Sequence, residues 1–397
     1  MEFLKNPFSR LKEYLFLKGW IRKDVTLYQA VAMIVGTTIG AGILGMPYAI
    51  SRVGLLFGII LIVSIGFLAM GVNLLVGEVS ARTNGSLQIV GLTRRYLGAK
   101  GGALMTFIFY LQLFVILTVY IIGMGGIASE FFWGGPLFWG IVVWMLGSMI
   151  VFKGINAIKT VEFVLTGIIF LTILIISFLA MPHIQVEFVR YSNLGAFFVP
   201  YGVVLFSLSG VGTIPAAYRL LQGKNEDFKR AIVISTSVAM VVYIVFTTLV
   251  VGVLGNGTTE IATLGLGRAL GTPMFYTANV FAFLAMMTSF IMGGMQLRDS
   301  MEWDFQFPYL RATSIALLVP LSIFLLGLRQ FIFAINIVGG IFMSLQMFML
   351  VLVYWRAKQS GDMEPAKYNI HHALLISAFT LIAFSIGAAY SLYGMFW

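Results

Sequence analysis

The sequence predicts an all-α polytopic membrane protein with about eleven transmembrane helices. The first observation is composition, since 60% of the residues are hydrophobic and only 10% are charged. The second is a succession of apolar stretches of about 20 residues or more, the length that crosses a bilayer. The third is the placement of the positive charge, which is concentrated in alternate connecting segments, as membrane topology requires.

Apolar segments and charged connections define the predicted spans, numbered one to eleven in chain order. With the N-terminus in the cytoplasm, 21 of the 25 Lys and Arg residues fall in cytoplasmic segments, and the four outside are Arg52, Arg190, Arg268 and Arg329. This asymmetry satisfies the positive-inside rule, and an odd number of spans places the C-terminus outside. The predicted spans are 26–50, 54–80, 102–129, 136–152, 160–181, 196–221, 229–254, 272–297, 309–328, 330–355 and 372–395.

Composition also excludes several classes of function. The chain has no cysteine and only three histidines, so disulfides, thiolate sites and a histidine-rich metal centre are not expected. The predicted spans contain no paired acids and no nucleophile beside a base, as a membrane enzyme would need. The net charge of +10 is explained by topology. We therefore expect no enzyme activity, no cofactor and no nucleic-acid partner.

The first 25 residues form a separate predicted segment. They mix Lys and Arg with Phe, Leu and Trp, and no apolar core precedes a small-residue cleavage site, as it does in a signal peptide. We expect residues 1–25 to form a cytoplasmic amphipathic helix on the inner leaflet. A solvated basic tail is the alternative.

Span one is interrupted in its middle by glycines and a proline, in the run Gly36–Pro47. A helix broken at membrane depth leaves backbone groups that protein, cavity water or a ligand must satisfy. The N–H groups that open the second half form a positive end, and the carbonyls that close the first half form a negative end. Such a break offers one site for a carboxylate and one for a cation, as a zwitterion requires.

A second break is predicted five spans later. Span six carries glycine, serine and proline at mid-span in the run Phe197–Pro215. Two interrupted spans at matching positions of two halves are typical of inverted-repeat transporters. We therefore predict one repeat over 26–181, a second over 196–355, and a peripheral span eleven at 372–395. Other glycine pairs are expected to serve close helix packing, namely Gly293–Gly294 and Gly339–Gly340.

These motifs resemble a known family of membrane proteins. The run Gly36–Pro47, continued by Tyr48, is similar to the first-helix signature of amino acid permeases in the amino acid/polyamine/organocation superfamily. The resemblance is to the amino acid/auxin and the hydroxy/aromatic amino acid permease branches. Phe206–Gly210 resembles their sixth-helix pattern, and Gln112 with Tyr120 resembles span three. The resemblance covers spans one to ten and implies a LeuT-type fold and secondary transport of an amino acid.

The resemblance also implies a substrate site. Backbone N–H groups at Ala41, Gly42 and Ile43 would bind the carboxylate. Carbonyls at Ile39 and along span six would bind the amino group, and the span six residues are Phe206, Ser207, Leu208 and Ser209. Physical reasoning agrees, because a helix N-terminus favours an anion and unwound carbonyls favour a cation.

The same resemblance suggests a sodium site between span one and span eight. Thr288 and Ser289 match a hydroxyl pair of sodium-coupled carriers, and the carbonyls of Gly36 and Ile39 would complete the ligand set. The alternative is that both hydroxyls bond back to their own helix. Proton-coupled relatives carry a lysine on span five instead, and the corresponding depth, 166–170, contains none. Sodium is therefore favoured over a proton as the coupling ion.

Four other polar residues are candidates. Tyr120 could point its hydroxyl at the substrate carboxylate or simply pack. Glu78 and Arg219 lie near the inner ends of spans two and six, so we expect them to pair as an inner gate or a structural latch. Asn336 on span ten is expected to line the pocket or an outer gate, or to form a hydrogen bond between helices.

The predicted function is sodium-coupled symport of a neutral amino acid, with aromatic ones among the candidates, across the plasma membrane by alternating access. Because no acidic side chain lies deep in the pocket-forming spans, cationic amino acids are not expected. The partners are then the amino acid and the lipid bilayer, with the oligomeric state left open. A proton-coupled carrier and a non-transporting amino acid sensor on the same scaffold are the alternatives.

Overall fold

A computed structural model describes residues 19–328, 330–363, 368–370 and 372–396. Most of the predicted N-terminal segment (1–18) and the topology residue Arg329 lie outside this part of the chain. The described residues form helices and connecting turns, without β-strands. The α-helices are α1 Gly19–Thr38, α2 Ala41–Val53, α3 Leu55–Arg82, α4 Ile89–Phe131, α5 Pro136–Phe152, α6 Ile155–Ala180, α7 Val186–Arg190, α8 Tyr201–Leu208, α9 Ile214–Leu220, α10 Asn225–Leu254, α11 Ala262–Leu270, α12 Thr272–Phe305, α13 Tyr309–Leu325, α14 Phe331–Ile337, α15 Ser344–Ser360 and α16 Ala373–Phe396.

The helices agree with the predicted polytopic membrane protein. Within the described ranges, eight helices are long and apolar enough to cross a membrane, and the bent pair Thr26–Thr38 and Ala41–Val53 makes a ninth span. Two shorter apolar helices, α5 and α13, coincide with predicted spans four and nine. The all-α membrane fold is thus confirmed, while the count of eleven spans stays a prediction.

Span three is longer than its sequence suggested. The helix α4 runs over 43 residues from Ile89 to Phe131 and contains one non-helical residue, Gly98, with φ 73° and ψ −173°. Positive φ is accessible to glycine without the Cβ clash that other residues incur. Gly98 therefore bends the chain between the first residues of α4 and the spanning part predicted at 102–129.

The first span is broken where the glycine run predicted it. Helix α1 ends at Thr38 and α2 begins at Ala41, and the two helices meet at an angle of 50°. Ile39 and Gly40 connect them outside helical geometry, with Gly40 at φ −126° and ψ −140°. All of these residues are buried or nearly so, so the break lies inside the protein and away from lipid.

The sixth span is broken as well. Helix α8 ends at Leu208, Ser209 is extended, and a short 3-10 turn, Val211–Thr213, leads into α9. Pro215 stands in the first turn of α9, where a residue without an N–H leaves no hydrogen bond unmade. The second break is confirmed, although the chain bends less here than in span one.

Span ten contains a π-helical segment, Val338–Met343, between α14 and α15. Within it, a Cβ on Gly339 would lie 1.9 Å from the carbonyl oxygen of Gly202, so the two backbones touch. A Cβ on Gly293 would lie 3.1 Å from the side chain of Leu117, and one on Gly294 would lie 3.3 Å from that of Val151, closer than most Cβ atoms pack. The prediction that these glycine pairs serve helix packing is confirmed.

The broken spans lie at the centre of the bundle, and α16 lies at its edge. Helix α2 packs against α8, while α1 packs against α10 and α12. Of the 18-residue apolar stretch that identifies each span, 83% is buried in α12 and 28% in α16. Helix α16 packs on α3 and α15. The peripheral position of span eleven agrees with this packing, while the repeat boundaries remain predictions.

Candidate functional site

The two breaks face each other at contact distance. A Cβ on Gly42, in the first turn of α2, would lie 2.2 Å from Oγ and 2.8 Å from Cα of Ser207 in α8. On the other side, a Cβ on Gly210 would lie 2.8 Å from Oγ1 of Thr38. Glycine at both positions therefore lets the unwound backbones meet, and the backbone groups freed by the two breaks lie close together.

The start of α2 offers backbone donors. The first N–H groups of a helix have no acceptor within it, and α2 has no side-chain cap. The N–H of Ile43 donates to the carbonyl of Gly40 at 3.1 Å, whereas those of Ala41 and Gly42 have no acceptor within the described residues. Two of the three predicted carboxylate donors are therefore free, and Ile43 contributes less.

The end of α8 offers backbone acceptors. The carbonyl of Phe206 accepts a long hydrogen bond of 3.4 Å from the N–H of Ser209. Those of Ser207 and Leu208 have no donor among the residues described. The hydroxyl of Ser207 donates to the carbonyl of Val203 at 2.6 Å, so towards a ligand it can act only as an acceptor.

Two tyrosines close around the first break. The hydroxyl of Tyr120 would lie 2.8 Å from a Cβ on Gly40, so it reaches the unwound segment, as its prediction required. The hydroxyl of Tyr243, in α10, donates to the carbonyl of Thr38 at 2.7 Å. Sequence reasoning missed Tyr243, because a single tyrosine in an apolar helix carries no pattern that distinguishes it from a packing residue.

The predicted cation ligands are only partly assembled. Oγ of Ser289 donates to the carbonyl of Gly36 at 2.8 Å and lies 3.4 Å from that of Ile39, so three oxygens converge across the helices. Thr288 instead donates to the carbonyl of Ala285 in its own helix at 3.0 Å. The alternative of back-bonding therefore holds for Thr288 and not for Ser289.

The oxygen atoms that could bind a cation between spans one and eight all belong to neutral groups. The described residues contain no group of three or more His, Cys, Asp or Glu side chains that could hold a metal ion. Carbonyl and hydroxyl oxygens are the ligands of a hard cation, and a set without carboxylates suits a single positive charge.

A cavity extends from the first break towards the inner half of the bundle. It is narrow, at about 40 Å³, which is room for a few water molecules and too little for an amino acid. Its walls include Gly40, Tyr120, Phe206, Ser209 and Ser289. A substrate at the break must therefore push side chains apart, and this conformation is a closed one.

The inner wall of the cavity is polar, which the sequence did not indicate. Nε2 of Gln296 in α12 donates to Oγ1 of Thr213 at 2.9 Å, and Thr213 lies 2.7 Å from Oγ1 of Thr37. This chain links spans one, six and eight. Gln112 and Gln346, which are hydrogen-bonded to each other at 2.8 Å, also line the cavity.

The predicted pair of Glu78 and Arg219 is wrong in this conformation. Glu78 is fully buried and pairs with Arg82, one turn along the same helix, at 2.7 Å. Its second oxygen accepts from the hydroxyl of Tyr354 and the N–H of Ile370. Arg219 stacks instead on the ring of Trp303, 4.2 Å from its centroid. Glu78 thus joins span two to span ten and to the segment before span eleven.

Asn336 does not line the cavity at the break. It lies beside Gly202 in a separate cavity of about 230 Å³ with Phe198, Tyr390 and Ser391. The prediction that it lines the substrate pocket is wrong, because it is on the π-helical span at the level of the first half of span six. A role in an outer gate stays a prediction.

The sequence did not single out two carboxylates, one buried and one in a loop. Asp299 pairs with its neighbour Arg298 at 2.6 Å, near the inner end of α12. Asp362, in the loop after α15, accepts from the N–H of Asn84 at 3.0 Å and contacts the guanidinium of Arg95. That N–H and the arginine favour the ionised carboxylate, so they hold the pKa of Asp362 below its ordinary value.

Comparison with known proteins gives a match over nearly the whole chain. The model of the tryptophan/tyrosine permease family matches residues 23–389. The "Tyrosine-specific transport system 1" of Haemophilus influenzae is 25% identical over an alignment of 387 positions that covers 90% of this chain and 96% of that protein. "Glutamine transporter 2" of Aliivibrio fischeri is 23% identical over 87% of this chain and 92% of that protein.

A solved structure shares the fold. The crystal structure of MhsT in complex with L-phenylalanine superposes with a TM-score of 0.72, over 92% of this chain and 97% of that one, at 14% identity. This likeness confirms the LeuT-type fold that the sequence motifs implied.

Proposed function

Because the chain belongs to the tryptophan/tyrosine permease family, we propose that it is a secondary active transporter that moves a neutral aromatic amino acid across a membrane together with sodium. The family is one of permeases, so the expectation that the chain is not an enzyme is confirmed, and it is a multi-pass membrane protein. The observation that carries the proposal is the pair of facing breaks, which bring free N–H groups and free carbonyls within reach of one small molecule.

The substrate is held by the backbone. Its carboxylate accepts hydrogen bonds from the N–H groups of Ala41 and Gly42, at the positive end of α2. Its ammonium group donates to the carbonyls of Ser207 and Leu208, at the negative end of α8. Because neither anchor is a charged side chain, no buried ion pair has to be broken when the substrate leaves.

Sodium binds beside the substrate. The carbonyls of Gly36 and Ile39 and the hydroxyl of Ser289 provide oxygen ligands, and the hydroxyl would turn its lone pair towards the ion. Ile39 adjoins the unwound turn at Gly40, so the ion and the amino acid order the same short segment. That shared segment is the physical basis for coupling, because each ligand reduces the cost of ordering it for the other.

Transport then follows from alternating access. The cavity at the break is closed and too small for substrate, so loading and release require the central spans to move against their neighbours. The unwound residues at 39–40 and 209–210 are the places where such hinges can absorb the motion. We place the carrier in the plasma membrane with its N-terminus in the cytoplasm, as the distribution of Lys and Arg favours.

The aromatic preference is supported by the curated relative named for tyrosine and by the apolar side chains of Ile116 and Phe206 in the cavity wall. A proton-coupled carrier is the second candidate, and a buried hydroxyl without a partner on span five, Thr166, stands at the depth where such carriers place a lysine. A hydroxyl does not carry a proton charge at neutral pH, so sodium is the better supported ion.

The test is flux into liposomes that contain the purified protein. With sodium outside and potassium inside at equal pH, labelled tyrosine should accumulate above its external concentration, and a sodium ionophore should abolish the accumulation. Accumulation that is independent of sodium and follows an imposed pH gradient would show that the coupling ion is a proton and not sodium. Binding of tyrosine without accumulation would favour a sensor and contradict the transport proposal.

A further inference from the structure

Two glutamine side chains meet inside the cavity below the first break. Gln112, in α4, and Gln346, in α15, are 2% and 0% exposed. Nε2 of Gln112 donates to Oε1 of Gln346 at 2.8 Å, and both residues line the cavity that Gly40 and Tyr120 also line. Neither amide is among the groups that bind the substrate or sodium in the mechanism proposed above.

Each amide keeps one polar atom without a partner. Oε1 of Gln112 and Nε2 of Gln346 are buried and make no hydrogen bond to the described residues. If both amides were reversed, their roles would exchange, but one oxygen and one nitrogen would still be unpaired. Buried polar atoms without partners are costly, and these two belong to residues that line one cavity. A ligand that accepts from the nitrogen and donates to the oxygen would satisfy both.

The wall between the break and the amides is apolar. Tyr120, Ile116 and Gln112 follow one another at intervals of four residues on the same face of α4, so Gln112 lies about 12 Å along the helix from Tyr120. Ile116 lines the cavity between them, with Phe109 and Met343 close to the amides. An amino acid anchored at the break with its side chain directed along this wall would place a nonpolar group beside Ile116 and point its far end towards the two amides.

We propose that Gln112 and Gln346 are the specificity-determining residues that recognise the phenol hydroxyl of a tyrosine substrate. This proposal rests on the proposed function, because the break must first anchor the amino acid. A phenol hydroxyl donates to the free oxygen and accepts from the free nitrogen, and its ring fits the apolar wall. Phenylalanine leaves both amides unpaired. The side-chain carboxamide of a glutamine substrate can form the same two hydrogen bonds, but a glutamine substrate has no ring to pack on the apolar wall.

The experiment measures competition for binding of labelled tyrosine to the purified full-length protein in detergent. The wild type should bind tyrosine at least about tenfold more tightly than phenylalanine, since two buried polar atoms are paired only by tyrosine. It should bind tyrosine more tightly than glutamine as well. This first comparison needs no variant, so it does not depend on whether a mutant folds.

The double variant Gln112→Met and Gln346→Met keeps the length of both side chains and removes both amides. Its preference for tyrosine over phenylalanine should fall about tenfold, towards equal affinity, while phenylalanine binding is kept. The matched control is Gln88→Met, because Gln88 is fully buried with both side-chain polar atoms unpaired and lies outside this cavity. The control should keep the wild-type preference.

The proposal is overturned if the double variant keeps the wild-type preference, or if the wild type binds phenylalanine or glutamine as tightly as tyrosine. The same preparation in liposomes separates this failure from failure of the proposed function. Selective tyrosine binding without accumulation contradicts transport and supports the role of the amides. Accumulation with an unchanged preference in the double variant contradicts the role of the amides alone.

Discussion

Replacing Gly42 by alanine tests the contact between the two breaks. The new Cβ would lie 2.8 Å from Cα of Ser207 and 2.2 Å from its Oγ. The hydroxyl can rotate away, but the Cα belongs to the backbone of α8 and cannot. Carbon atoms that are not bonded pack at 3.5 Å or more, so the two backbones must separate by about 0.7 Å.

That separation acts directly on the substrate site. It moves the free N–H groups of α2 away from the free carbonyls of α8, which must bind opposite ends of one molecule. A misplacement of about 1 Å in a positioned site costs about 100-fold in rate, so we expect tyrosine uptake to fall about 100-fold. Overpacking of this kind lowers the free energy of unfolding by about 1–3 kcal/mol, so the protein should still fold and insert.

The assay is initial uptake of labelled tyrosine into liposomes, normalised to the amount of folded protein. Gly294→Ala is the matched control, because Gly294 is also buried in a spanning helix and the nearest neighbours of its new Cβ would be side-chain methyl groups of Val151, at 3.3 Å, and Leu317, at 3.6 Å, rather than backbone. The control should transport at nearly the wild-type rate. Uptake by Gly42→Ala that equals the control would refute the claim that the breaks act together.

Three further predictions address the ion, the buried carboxylate and the cytoplasmic loop. Ser289→Ala should raise the sodium concentration for half-maximal uptake about tenfold and Thr288→Ala much less; equal responses would contradict the asymmetric ligand set. Glu78→Gln should lower the free energy of unfolding by about 1–3 kcal/mol, measured by chemical denaturation in detergent, and an unchanged value would contradict its role as a latch. The lowered pKa of Asp362 means that its contact with Arg95 stabilises the protein above the ordinary carboxyl pKa of about 3.9. The melting-temperature difference between wild type and Asp362→Asn should therefore be full at pH 7 and vanish as the pH falls through the lowered pKa, and a difference that persists there would contradict the assignment.

Features encoded in one short segment were predictable from the sequence. The breaks at Gly40 and Ser209 follow from glycine and proline within spans too apolar to be loops, and their equivalent places in two halves indicated that they face each other. The contact of Ser289 with Gly36 was accessible only through the family resemblance, because the two residues are 253 positions apart.

Features that depend on the rotation of one helix against another were not predictable. The depth of Glu78 in the membrane suggested a partner on span six, but Glu78 pairs with Arg82, its i,i+4 neighbour on the same helix, a spacing that favours such pairs. For Asn336 the sequence left the pocket, an outer gate and a hydrogen bond between helices open, and the structure places it in a separate cavity. The pairing of Gln112 with Gln346 joins two helices far apart in the chain, and the family pattern that includes Gln112 gives no partner for it.

The most direct test of the central claim is an experimental structure of the protein with tyrosine bound. Our account predicts the substrate carboxylate within hydrogen-bonding distance of the N–H groups of Ala41 and Gly42, and the ammonium group against the last carbonyls of α8. Tyrosine bound elsewhere, or held by a charged side chain while span one runs as a continuous helix, would contradict it.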